Sequence, residues 1–169
     1  KTQGNLNNEI GVPQMLFRLE DSHTAAVIEM GMNHFGEISR LTRAVAPTVG
    51  LITNIGVSHI ENLGSRAGIL QAKLEILEGM APDAPLIVNI DNDMLRTVKL
   101  GDRPLLTFAI DDQSADFTAT DIAEQGSTTT FTVHHSTFTR PVTIPTVGIH
   151  NVYNALAAMA VGYVTGLAL

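Results

Sequence analysis

Cysteine is absent from the 169 residues, which excludes disulfides, thiol catalysis and thiolate zinc sites in one step. Positive charge is scarce as well: 10 Lys and Arg stand against 17 Asp and Glu, a net charge of −7. A nonspecific grip on nucleic acid or anionic lipid is therefore disfavoured, and any phosphate site has to be local. No apolar run approaches the roughly 20 residues of a membrane span, and no basic-then-apolar leader opens the chain. Internal repeats and low-complexity tracts are missing too. These absences together point to a cytoplasmic protein with neither a membrane span nor a nucleic-acid partner. What is present is ordinary globular composition, 44% hydrophobic and 16% charged, at a length that suits one domain plus a small appended piece.

Short continuous apolar runs mark the candidate strands: Ala25 to Ile28, Val49 to Ile52, Leu86 to Val88 and Leu105 to Phe108. Continuous rather than alternating apolarity predicts strands buried on both faces, as in parallel sheets. Between them, Ile38, Leu41 and Val45 recur at helical spacing, as do Ile69, Leu70, Leu74 and Leu77 within Arg66 to Met80. Strand alternating with helix predicts an α/β fold, a mostly parallel sheet flanked by helices with right-handed crossovers. From Asp116 to Ile144 the pattern changes to Thr-, Phe- and Val-rich segments split by Gly126-Ser127 and His135-Ser136, which predicts a three-stranded antiparallel meander. We read residues 111–147 as a small antiparallel subdomain. A last helix follows Gly148, with Ala155, Leu156, Met159 and Ala160 on its apolar side.

Four residues stand out against this frame. Glu29 closes the run Ala26-Val27-Ile28, where a buried carboxylate is costly unless paired or bound to a hard cation such as Mg²⁺. An ion-paired strand-end Glu is the plainer reading. His59 ends the polar loop Thr53 to His59, which also holds Asn54, and can ligate a metal or simply face solvent. Lys73 shares a helical stripe with Ile69 and Leu77; most such lysines snorkel outward, but one held in a dry pocket has a lowered pKa and can take up CO₂ as a carbamate. Asn151 is most simply the cap or a first-turn residue of the last helix, although its amide also offers the paired donor and acceptor that read an adenine edge.

The runs GNLNNEIGVP, VIEMGMNHFGEI, LITNIGVSHIENLGSRAGILQAKLEI and GIHNVYNALAA, in this order, resemble the central domain of the Mur ligases. The opening run is most similar to the members that add D-alanyl-D-alanine. The resemblance implies an ATP-dependent ligase of peptidoglycan precursor synthesis, which joins that dipeptide to UDP-N-acetylmuramoyl-tripeptide through an acyl phosphate. It implies Mg²⁺ held by Glu29, His59 and a carbamylated Lys73, with Lys73 and His59 at the reaction. Asn151 and Asn54 would meet ATP, while Asn5, Asn7 and Asn8, with Ser65 and Arg66, would approach the UDP-sugar substrate or its phosphates. It also implies a monomer in the full-length form.

The chain departs from the family in lacking the G-x-x-G-K-[ST] phosphate loop, since no Gly-rich stretch precedes Lys1-Thr2. Residues 1–169 are therefore expected to be part of a central ATP-binding domain without its first strand and helix. The UDP-binding and C-terminal domains would be absent, and this fragment inactive alone. Two alternatives stay open: another amino-acid ligase of the Mur or folylpolyglutamate type, and a noncatalytic scaffold that has lost the phosphate loop.

Overall fold

The computed structural model describes residues 5–167. Lys1, Thr2 and Gly4, on which part of the opening-run reading falls, lie outside the described residues. The chain divides into two compact units.

The larger unit, Val49–Ile55 with the chain from Asp83 onward, holds one six-stranded sheet in sequence order. Strands β1 (Gly50–Ile52), β2 (Leu86–Asn89), β3 (Leu105–Ala109) and β4 (Phe117–Gln125) run parallel. Strands β5 (Thr128–His135) and β6 (Phe138–Ile144) then return antiparallel, so the meander continues the same sheet. All four residues of β2 are buried, which is why its sequence is a solid apolar run closed by one Asn. Strand β4 carries a bulge: Thr120 pairs with Thr132 but Ala123 with Thr130, and the extra residue sits beside Asp121 at φ 54°. The β4–β5 hairpin turns on Gly126 at φ 60°, the glycine-first two-residue turn that matches strand twist. Edge strand β6 carries Pro141 and Arg140, residues that discourage further strand addition.

One long helix, α5 (Ile149–Val164), follows four short ones in the chain and lies on this sheet. Its Val152, Leu156, Ala157 and Ala160 form one buried cluster with Ile87, Phe108, Phe117, Phe131 and Val133. Each fully buried Leu or Phe contributes roughly 1.5–3 kcal/mol, so this cluster is the main source of the unit's stability. The helix ends at Val164, and Gly166 follows in a left-handed turn at φ 74°.

The smaller unit, residues up to Thr48 with Gly56–Pro82, contains α1 (Gly11–Leu16), α2 (Glu37–Val45), α3 (Ile60–Leu63) and α4 (Arg66–Leu74). The predicted strand over Ala25–Ile28 does not form. Those residues join no sheet, and Val27 is 96% exposed, because apolar character alone cannot supply a hydrogen-bonding neighbour. The helix expected over Arg66–Met80 stops at Leu74 and tightens into a 3₁₀ segment, Glu75–Gly79. Two contacts explain the change. Thr42 Oγ1 donates to the Ile76 carbonyl at 2.7 Å, and a Cβ on Gly79 would stand only 2.2 Å from the Thr42 backbone.

Candidate functional site

Parallel sheets gather ligands at the carboxyl ends of their strands, and the larger unit has a cavity of about 360 Å³ there. Thr53 and Asn54 come from the end of β1, Asn89, Asp91 and Asn92 from the end of β2, and His150, Tyr153 and Asn154 from the first turns of α5. The wall is thus mostly amide and hydroxyl. Asn92 ties two of these elements together: its Nδ2 donates to Asn54 Oδ1 at 2.7 Å and to the Ile55 carbonyl at 3.2 Å, while its Oδ1 accepts from the N–H groups of Met94 and Leu95.

Asp91 is the only carboxylate among the lining residues. Its Oδ2 accepts from Ile110 N–H at 2.6 Å, Asp111 N–H at 2.9 Å and the Tyr153 hydroxyl at 2.8 Å, and its Oδ1 accepts from Asp112 N–H at 2.9 Å. Burial alone would raise its pKa, but these donors outweigh it and hold the carboxyl below its usual range. Tyr153 moves the opposite way: burial first, then its bond to Asp91 and the charges of Asp91 and Asp111, push the phenol well above its ordinary value.

In the smaller unit, Asn7 and Glu29 meet. Asn7 Nδ2 donates to Glu29 Oε1 at 2.9 Å, and the Asn7 carbonyl accepts from Gly31 N–H at 2.7 Å. Glu29 is exposed and closes no strand, which corrects the expectation of a buried strand-end acid. Asn8 Oδ1 takes the N–H groups of Ile10 and Gly11, shaping the entry to α1, and Asn5 is exposed. His59 is exposed in the left-handed region at φ 64°, a conformation that costs roughly 1–2 kcal/mol and starts α3. Ser65 caps α4, its hydroxyl accepting from Gly68 N–H at 3.1 Å, and Arg66 is half-buried behind it. Burial lowers the pKa of Lys73, the direction expected of an amine in a dry setting.

Among the described residues no group of three or more His, Asp or Glu is placed to hold a metal ion unaided. Asn54 reaches the cavity, whereas Asn151 does not line it. Nor is Asn151 the helix cap. Gly148 occupies that position at φ 100°, and the Asn151 amide donates to Thr146 Oγ1 and the Val147 carbonyl, so the donor half of any adenine-reading pair is already engaged. Sequence reasoning missed Asn89, Asp91 and Asn92, although polar residues directly after a buried strand were a usable signal. It also passed over His150, Tyr153 and Asn154, which sit inside the same run as Asn151.

Residues 1–162 match the Mur ligase middle domain. The chain is 41% identical over 170 residues to the UDP-N-acetylmuramoyl-tripeptide--D-alanyl-D-alanine ligase of Escherichia coli, covering 99% of this chain and 38% of that protein. Among solved structures, MurF from Acinetobacter baumannii superposes with a TM-score of 0.91 at 36% identity, over 99% of this chain and 37% of that one. MurF ligase from Thermotoga maritima, solved in complex with ADP, shares the fold at a TM-score of 0.88 and 24% identity, over 99% and 39% of the two chains. The chain thus spans little more than a third of the length of the relatives it matches.

Proposed function

Because the chain belongs to the Mur ligase family, as its middle domain, we propose that it is the ATP-using part of a cytoplasmic ligase that joins D-alanyl-D-alanine to UDP-N-acetylmuramoyl-tripeptide. The observation that carries this reading is similarity along nearly the whole chain to a ligase of that activity. A carboxylate is a poor electrophile, so the γ-phosphoryl group of ATP is first transferred to the tripeptide carboxylate, giving an acyl phosphate and ADP. The dipeptide amine attacks the acyl carbon, loses a proton, and the tetrahedral intermediate expels phosphate as the amide forms.

In this reading the strand-end cavity takes the nucleotide, with Asn54, His150 and Asn154 as neutral polar contacts and Asn151 offering its Oδ1 from beside it. Glu29, His59 and Lys73 would hold Mg²⁺. The lowered pKa of Lys73 supports carbamate formation, which turns a cation into an anionic oxygen ligand; without that conversion the described acids and imidazoles are too few to fit the ion. Bound there, Mg²⁺ would neutralise phosphate charge. Asn7 keeps Glu29 oriented, Asn8 shapes the loop, and Asn5, Ser65 and Arg66 face the UDP-sugar or its phosphates.

The test is coupled phosphate release by the complete product of the gene that carries this chain, with UDP-N-acetylmuramoyl-tripeptide and either D-alanyl-D-alanine or single amino acids. Turnover with the dipeptide alone is expected. Turnover with single amino acids instead assigns a different ligase. The 169-residue chain by itself is expected to give none.

A further inference from the structure

We propose that Asp91 and Tyr153 form a latch that sets the shape of the strand-end cavity, with Asp91 a positioning residue rather than a ligand-contacting acid; this rests on reading that cavity as the nucleotide site. Four donors converge on the Asp91 carboxylate, three on Oδ2 and one on Oδ1. Three are consecutive backbone N–H groups just beyond β3, and the fourth is the Tyr153 hydroxyl on α5. A carboxylate offers about two lone-pair sites on each oxygen, so Oδ2 is fully engaged and Oδ1 is half engaged. A ligand entering the cavity therefore meets amides, hydroxyls and an imidazole, beside an Asp91 carboxylate turned mainly to donors of the fold itself.

The same bond fixes the helix. Tyr153 lies three residues after His150 and one before Asn154, and those two are four apart on one helical face. Anchoring the phenol to the end of β2 holds His150 and Asn154 at their places in the cavity wall. The adjacent Asn92 performs the corresponding tie to Asn54 at the end of β1. The Asp91-Asn92 pair thereby fastens three elements of the wall, and Tyr153 is the part of the fastening contributed by α5.

The experiment uses the chain with Tyr163→Phe as background, which leaves Tyr153 as its single tyrosine, followed by alkaline absorbance titration. Adding Asp91→Asn should move the Tyr153 ionisation midpoint down toward the ordinary value; an unmoved midpoint overturns the latch. In the complete product of the gene that carries this chain, ADP titrated to millimolar concentration and followed by ligand-observed NMR should bind about tenfold more weakly to Tyr153→Phe than to the parent protein, the effect of losing one hydrogen bond to a charged group. Equal affinity overturns the positioning role. If the complete parent protein shows no ADP binding, both the nucleotide reading and the positioning role fall, while the tyrosine titration still decides the latch. Should Asp91→Asn fail to fold, hydrogen exchange at 150–154 in Tyr153→Phe replaces it: faster exchange is expected, and unchanged exchange overturns the latch.

Discussion

The sheet unit and the unit of short helices are held together by different means. In the first, an almost wholly apolar strand and one long helix bury a common cluster, and polar groups are kept to the strand ends. In the second, helices of six, nine, four and nine residues are too short to persist by themselves. They are fastened by side chains on backbone: Glu75 accepts from Gly36 and Ser39 N–H at the start of α2, Thr42 holds the Ile76 carbonyl, and Ser65 caps α4. Glycine supplies the rest, since a Cβ at Gly68 would lie 2.0 Å from the Leu63 carbonyl oxygen and one at Gly79 would meet Thr42. Both units bury apolar side chains, Val12, Ile38, Leu41 and Ile69 among them in the smaller one, but the smaller unit depends in addition on backbone approach and capping, and substitutions should sort accordingly.

The largest expected effect lies in the sheet unit. Leu156 is fully buried in the cluster, and Leu156→Ala should cost about 2–5 kcal/mol by denaturant titration. Both tyrosines, Tyr153 and Tyr163, belong to this unit and tryptophan is absent, so tyrosine near-ultraviolet circular dichroism reports on it alone. An unchanged midpoint would mean that the unit draws its stability from somewhere other than the cluster. Next comes Gly79→Ala, expected to cost about 1–3 kcal/mol because the new methyl must displace backbone rather than a flexible side chain. Its signature should be an early phase in the far-ultraviolet helix signal, from the four short helices, at a lower denaturant concentration than the tyrosine signal and the part of the helix signal that belongs to α5. Coincident loss would show that the two units unfold as one and that the contrast has no thermodynamic meaning.

This contrast also explains what could be read from the chain alone. Solid apolar runs announced β1, β2 and β3, and Thr/Phe/Val alternation announced the antiparallel strands, because burial writes itself into side-chain pattern. Ala25–Ile28 has the same composition but joins no sheet, and no local signal distinguishes the two cases. The end of α4 was equally hidden: it is set by Thr42, 34 residues away from Ile76 in sequence. In the candidate site, Asn54 was legible as a small polar residue leaving a strand. Asp91 was legible only as a polar residue after a buried strand, since its importance comes from donors 19 to 62 residues distant, and Asn151, read as the cap or a first-turn residue, stands in the first turn because Gly148, at φ 100°, holds the cap position.

A smaller effect tests the capping side. Glu75→Gln keeps the shape of the acceptor at the start of α2 but removes its charge and half its accepting capacity. A loss of about 1 kcal/mol is expected, visible in the helix signal and absent from the tyrosine signal. Val27→Ser, at a nearly fully exposed apolar position in the same unit, should stay within about 0.5 kcal/mol of the parent. A clear destabilisation by Val27→Ser would show that this side chain is covered in solution.

The smallest expected effect is a difference in pH dependence, and it separates the units by sign. On the acid side they agree. Hydrogen bonds hold the Asp91 carboxyl low against burial, and the Asn33 N–H holds Glu37 low, so both contribute stability that is present above the unfolded values near pH 4 and lost as pH falls through the depressed folded ones. On the alkaline side they diverge. The raised pKa of Tyr153 means the folded state keeps a proton that the unfolded chain has released, so the sheet unit loses stability as pH rises above 10.0. Burial lowers the pKa of Lys73, so the unfolded chain keeps the proton longer, and the smaller unit gains stability as pH climbs toward 10.5. Tyr153→Phe should therefore flatten the alkaline fall of the tyrosine-reported midpoint, read from the Tyr163 signal. Lys73→Met should remove the alkaline gain in the helix-reported one and leave the tyrosine-reported fall in place. If Lys73→Met moves both signals together, the two regions share one transition, and the lysine's buried setting is a property of the whole chain rather than of its own unit.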